Sequence, residues 1–378
     1  MNADQYLEYM FYRAGENHVP LSGTFELTCR CNLDCRMCYI HRSAFDREAM
    51  QTELSTEQWL HLGDAAAKHG MLTLLLTGGE PLIRPDFWEI YQHCRELGIL
   101  VSVNSNASLM TARDVERFAQ NPPRRLNITL YGSSRETYGR MCGDPSAYDR
   151  VVGNILALRD AGVPLKINIS VTPYNVRELR EMLSFCKDHE LVVQVASYMF
   201  PPVRAAEHAA CAADRLTPEE AAGAQMIYDV FRFPPEKFEE RRQNLLSGIP
   251  YVDPDAECLD QPTEHIRCRA GQTCFWVTWD GQMRPCGMMQ TPTTQLKAGF
   301  EAAWEQTRAQ TEQIVVPAQC SECKARDICG ACPSASFAET GSYYGVPEYL
   351  CRKTNAYLNL LWDYDANQWN GSSSSSCK

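Results

Sequence analysis

From residue 24 to residue 198, short β-branched or leucine-rich runs alternate with longer amphipathic ones, and that alternation leaves few folds open to the chain. The strand-like runs fall at 24–29, 72–77, 99–104, 126–131, 165–172 and 191–198. Helical runs lie between them at about 55–69, 86–97, 111–120, 147–161 and 175–188. Strands separated by helices of this length pair in parallel, so the pattern predicts repeated βα units and an α/β fold. Two of the helices carry their own start signals, Ser55-Thr-Glu-Gln and Thr111-Ala-Arg-Asp. Parallel strands bring their C-terminal ends to one rim, where loops from different units can share a site.

The first rim loop reads Cys31-Asn-Leu-Asp-Cys35-Arg-Met-Cys38 and directly follows Thr24-Phe-Glu-Leu-Thr28. Structural zinc and ordinary four-iron clusters take four protein ligands, so a tight group of three thiols leaves one metal corner for a ligand that is not protein. The chain holds 18 cysteines in 378 residues. They gather at 31–38 and again from Cys268 to Cys351, which reads as metal ligation rather than as disulfides. Met1-Asn-Ala-Asp-Gln-Tyr lacks the order of a secretion signal, and no apolar run reaches transmembrane length, so the expected location is cytoplasmic. A formal charge of −11 argues against a nucleic-acid backbone or an anionic membrane as partner.

The later rim loops are also polar. The second strand runs into Gly78-Gly79-Glu80-Pro81, where glycines admit a ligand close to the backbone and a carboxylate can hold an ammonium group. The third ends at Asn104-Ser-Asn-Ala107 and the fourth at Thr129-Leu-Tyr-Gly-Ser133. The fifth carries Asn168 and Ser170, two residues apart and so on one face. Beyond residue 205 the alternation stops, and Thr217-Pro-Glu-Glu opens a helical bridge. Eight further clustered cysteines follow, enough for two four-cysteine sites: Cys268, Cys274, Cys286, Cys320, Cys323, Cys329, Cys332 and Cys351. Their Cys-x2-Cys pairs alone would also suit zinc ribbons, and hence a zinc-stapled scaffold with no catalytic role.

Taken together, the Cys31–Cys38 spacing and the Gly-Gly-Glu-Pro on the next unit resemble the radical S-adenosylmethionine (SAM) superfamily. The C-terminal spacing, with Gly281 five residues before Cys286, resembles the SPASM extension of that superfamily. It departs at Cys329-x2-Cys332, one residue shorter than the commonest form. The resemblance implies a partial (β/α)6 TIM-like barrel with a small cysteine-rich C-terminal SPASM domain. It implies three [4Fe-4S] clusters: one at Cys31, Cys35 and Cys38, whose open iron binds SAM; an auxiliary cluster at Cys268, Cys274, Cys286 and Cys332; and another at Cys320, Cys323, Cys329 and Cys351. SAM is expected to meet Gly78, Gly79 and Glu80 through its amino group, Ser105 and Asn106 near its ribose, and Thr129 near its carboxylate, with Asn168 and Ser170 as further candidates. The implied reaction is reductive cleavage of SAM to a 5′-deoxyadenosyl radical that takes a hydrogen from a substrate.

The Leu-Tyr-Gly stretch and the SPASM spacing together resemble enzymes that mature ribosomally made peptides by thioether or carbon–carbon crosslinks. The implied partners are a peptide or protein substrate, a reductant such as flavodoxin or ferredoxin and, given a prefix too short for a separate core, a leader-binding protein. The nearest rival, an anaerobic sulfatase-maturating oxidase, typically has Asp after the cysteine matched by Cys286, where this chain has Gly287. A small-molecule dehydrogenase is a third reading. The expected organisation is a helical prefix at 1–23, the barrel at 24–200, the bridge at 201–267, the SPASM segment at 268–355 and a helix with a Ser-rich tail at 356–378. The isolated cysteines, Cys29, Cys94, Cys142, Cys186, Cys211, Cys258 and Cys377, read as mostly buried hydrophobes, with Cys142 the candidate hydrogen donor near the reaction chamber.

Overall fold

The computed structural model describes residues 3–40, 42–201, 204, 214–247, 264–265 and 268–365. Cys211, Cys258, Cys377 and the Ser-rich tail lie outside these residues. Six parallel strands form the body: β1 (Ser22–Glu26), β2 (Thr73–Thr77), β3 (Leu100–Ser105), β4 (Arg125–Thr129), β5 (Leu165–Ser170) and β6 (Val192–Ala196). Each pairs with the next in sequence. Their connecting helices begin where the sequence signals them. Ser55 and Thr111 both close capping boxes, at the N-termini of Thr56–Lys68 and Ala112–Gln120.

The two faces of the sheet differ in chemistry because side chains alternate along a strand. One face carries Phe25, Leu74, Leu76, Val101, Val103, Leu126, Ile128, Ile167 and Ile169, all buried. Trp59 of the first barrel helix lies fully buried on this face, its ring 5.1 Å from that of Phe25. Burial of each such aromatic contributes about 1.5–3 kcal/mol. The opposite face is polar, with Glu26 opposite Thr77, Asn104 opposite Asn127, and Thr129 opposite Asn168 in the register. A polar face inside an otherwise apolar scaffold is where a site belongs.

The sheet does not end at β1. Strands β7 (Cys274–Val277), β8 (Gln282–Arg284) and β9 (Thr294–Gln295) extend it to nine, in the order β9-β8-β7-β1-β2-β3-β4-β5-β6. β7 is parallel to β1, with Ser22 opposite Cys274 and Thr24 opposite Trp276. The boundary expected at residue 268 therefore crosses a continuous sheet, because the free hydrogen-bonding edge of β1 is covered by the C-terminal segment. Helices Pro218–Arg232 and Glu348–Trp362 pack together, and their small core includes Met226, Phe238, Leu358 and Leu361.

Candidate active site

The cysteine loop is held at both ends by groups that precede and follow it. Arg30, next to Cys31, is buried against Glu53, donating from Nε at 2.8 Å and from Nη2 at 2.9 Å. Arg84 shares Glu53, pairs with Asp86 at 2.6 Å, and donates to the Leu27 and Leu54 carbonyls, each at 3.1 Å. On the other side, the Asp34 and Arg36 amides donate to the Cys142 and Met141 carbonyls, each at 3.0 Å, at the end of helix Arg135–Cys142. The loop is thus braced from β1 and from the unit after β4.

Gly78 and Gly79 lie directly on this entry strand. The Gly79 amide donates to the Thr28 carbonyl at 2.7 Å and the Glu80 amide to the Arg30 carbonyl at 2.9 Å. A Cβ on Gly78 would stand 2.5 Å from the Thr28 oxygen, and one on Gly79 would stand 2.3 Å from the Arg30 oxygen. The glycines therefore permit backbone-to-backbone contact inside the protein, besides lining the chamber described next.

A chamber of about 1290 Å³, measured with its open mouth, lies at the C-terminal ends of the strands. Cys31, Cys35, Cys38, Gly78, Gly79, Ser105, Asn106, Thr129 and Ser170 all border it. Burial, then the nearby Glu80 and Cys35, push the Cys31 thiol up from its ordinary range. Cys35 is held well above that range by the Cys142 thiol beside it and then by burial, with the Tyr131 hydroxyl also against its sulfur. Ligation by a metal would displace these protons.

Three of the residues expected around SAM or its substrate do not border the chamber. Glu80 is fully buried behind the wall, accepting from the Asn106 amide at 2.7 Å, the Ser105 hydroxyl at 2.9 Å and the Leu82 amide at 3.1 Å. Burial outweighs these donors and pushes its carboxyl up to about 7. The chamber meets the Gly78–Gly79 backbone instead. Asn168 is likewise absent from the described lining, and its carbonyl accepts from the Leu130 amide at 2.9 Å. Cys142 is 1% exposed and sits behind Cys35 rather than in the chamber, so the geometry does not offer it as a hydrogen donor to a chamber substrate. Ala107, standing where the resembling motif has Gly, takes that glycine-like backbone, with φ at 57°.

Residues 25–186 match the family model described as the Radical SAM superfamily. The chain carries a radical SAM domain. Over 346 residues it is 26% identical to the AdoMet-dependent heme synthase of Methanosarcina barkeri, covering 88% of this chain and 96% of that one. Over 277 residues it is 24% identical to the sporulation killing factor maturation protein SkfB of Bacillus subtilis, covering 73% of this chain and 62% of that one. In fold it is similar to Streptococcus suis SuiB in the structure bound to precursor peptide SuiA, with a TM-score of 0.64, 18% identity, and coverage of 93% of this chain and 81% of that one.

The chamber is also lined by residues that the sequence did not single out: Tyr39, Tyr131, Tyr198, Met199, Phe200 and Met288. Tyr131 lies within the quoted Thr-Leu-Tyr-Gly and was within reach of sequence reading. Met288 arrives from the C-terminal segment, which no local pattern could have placed there. Tyr198 is held by that segment as well: its hydroxyl donates to Glu339 at 2.7 Å, and Glu339 is paired with Arg215 at 2.6 Å.

Outside the radical SAM domain, the remaining clustered cysteines come together in two neighbourhoods. Cys268 lies within electrostatic reach of Cys332, Cys286 and Cys274. Cys351 has Cys329, Cys320 and Cys323 as its thiol neighbours, and burial, then these neighbours, push it up to about 12. The latter four line a cavity of about 780 Å³ that Cys332 also borders. Among the described residues no three or more His, Cys, Asp or Glu side chains close on a single point as one ion requires. All-sulfur donor sets arranged around a space suit an iron–sulfur cluster. Among the described residues no helix is long and apolar enough to cross a membrane.

Proposed function

We propose that this radical SAM enzyme matures a peptide, by crosslinking or otherwise modifying a side chain or backbone carbon. The observation that carries the reading is the chamber wall. Every described residue that borders it is formally neutral, and Tyr39, Ile40, Tyr198, Met199, Phe200 and Met288 make much of it apolar or aromatic. A heme-type tetrapyrrole bears carboxylates, and enclosing carboxylates without cationic partners is costly. An uncharged stretch of peptide meets no such penalty. The names of SkfB, a maturation protein, and of SuiB bound to a precursor peptide support the same substrate class.

In this reading Cys31, Cys35 and Cys38 hold the SAM cluster, and the two C-terminal quartets hold auxiliary clusters of SPASM type. When bound, the SAM cluster supplies the electron that cleaves SAM to methionine and a 5′-deoxyadenosyl radical. The chain itself orients SAM against Gly78, Gly79, Ser105, Thr129 and Ser170 and keeps water from the radical with the aromatic wall. The setting is the reducing cytoplasm, with a flavodoxin- or ferredoxin-type reductant and a separate leader-binding protein. The oxidase reading is disfavoured at Gly287, where a Cβ would stand 2.8 Å from the Trp276 ring, so an Asp base has no room without rearrangement.

The test is to incubate reconstituted, reduced protein and SAM with short uncharged candidate peptides, and in parallel with a carboxylate-bearing tetrapyrrole, and follow product mass. Loss of hydrogen from a peptide, absent with Cys35→Ala, is the expected result. Turnover of the tetrapyrrole and none of the peptides would overturn the proposal and favour the heme-synthase-like alternative.

A further inference from the structure

Asn106 borders the chamber at the end of β3, yet its side chain is wholly engaged within the protein. A carboxamide offers two N–H donors and two acceptor lone pairs. Here Oδ1 accepts from the Ser108 amide at 2.8 Å and from the Ser108 hydroxyl at 2.7 Å. Nδ2 donates to Asn32 Oδ1 at 3.0 Å and to Cys31 Sγ at 3.6 Å. Asn32 closes the ring by donating to the Ser108 hydroxyl oxygen at 2.8 Å. The Asn106 main-chain amide is taken by Glu80, and Asn106 and Ser108 are only 5% and 3% exposed. Nothing in the amide is left over for a ribose.

The amide reaches a sulfur instead, and Cys31 Sγ has a second donor in the Leu33 amide at 3.4 Å. We propose that Asn106 is a positioning residue that fixes Cys31 and, through its N–H···S contact, sets the reduction potential of the cluster held there. Reduction takes one electron from the external donor and places negative charge partly on the ligand sulfurs, with no bond made or broken. A donor aimed at such a sulfur stabilises the more negative state and makes reduction easier. The ring through Asn32 and Ser108 holds the amide in that orientation. This inference rests on Cys31, Cys35 and Cys38 being the cluster ligands.

The experiment is an anaerobic redox titration of the reconstituted cluster, monitored by electron paramagnetic resonance, in wild type, Asn106→Ala and the isosteric Asn106→Asp, beside a SAM-binding titration. Removing the donor is expected to disfavour reduction about tenfold, about 59 mV for a one-electron couple, with SAM affinity kept within about threefold, as expected where an amide fully satisfied by the protein makes no ligand contact. Asn106→Asp keeps an acceptor for Ser108 while losing the donor, so its potential should fall at least as far, and it serves if the Ala variant does not retain a cluster. An unmoved potential overturns the proposal, as does a large loss of SAM affinity at constant potential, which would make Asn106 a ribose ligand. Failure of wild type to assemble a cluster at this loop would instead count against the ligand assignment.

Discussion

Gly79 shows how much rests on a single missing side chain. The turn after β2 lies on the backbone leading into the cysteine loop, and a Cβ at Gly79 would approach the Arg30 oxygen to 2.3 Å. Gly79→Ala must push the turn from the loop, and a thermal melt should show a loss of about 1–3 kcal/mol; an unchanged Tm would mean the two segments are not in contact. Glu80 makes a different prediction. Its folded-state pKa of about 7 is raised by burial above the ordinary 4.5, so the folded chain holds a proton that the unfolded chain releases. Stability from this group is therefore full below pH 4.5 and falls as pH rises toward 7, by on the order of 3 kcal/mol in all. Measured from pH 4.5 to 8, the stability difference between wild type and Glu80→Gln should carry that slope, and parallel profiles would contradict it.

At the level of elements, the strand-to-loop junction is locked by charge buried between units. Glu53, at the end of helix Arg47–Thr52, faces Arg30 and Arg84, and the ion-pair side chains are 7–8% exposed. Glu53→Ala would leave two guanidinium groups buried with less compensation, and denaturant unfolding should report a loss of about 3–5 kcal/mol. By contrast Ser55→Ala, two residues on, removes a helix cap at an exposed position and should cost about 1 kcal/mol. If the two substitutions proved equally mild, Glu53 would not be bracing the loop. The caps were legible in the sequence because they are contacts between residues three apart. The Glu53 brace was not, since it joins side chains 23 and 31 residues apart whose meeting depends on how β1 and β2 pair.

For the whole molecule, the proposed three clusters predict roughly twelve irons per chain after anaerobic reconstitution, four for each cluster. Metal analysis should find about a third of that iron missing from Cys35→Ala, with the auxiliary clusters retained; stoichiometric zinc in place of iron would overturn the cluster assignment. The sequence by itself determined the alternating α/β architecture, the places of the six parallel strands along the chain and the cysteine spacings, because periodicity, capping and ligand spacing are written within a few residues of one another. Only the tertiary structure decided that β7 continues the sheet from β1, that Glu80 and Cys142 stand behind the chamber wall, and that Met288 enters it. Those outcomes depend on which face of an element turns inward and which distant segment covers a free sheet edge. Such choices are made by packing and hydrogen bonding across hundreds of residues, and no local stretch of sequence encodes them.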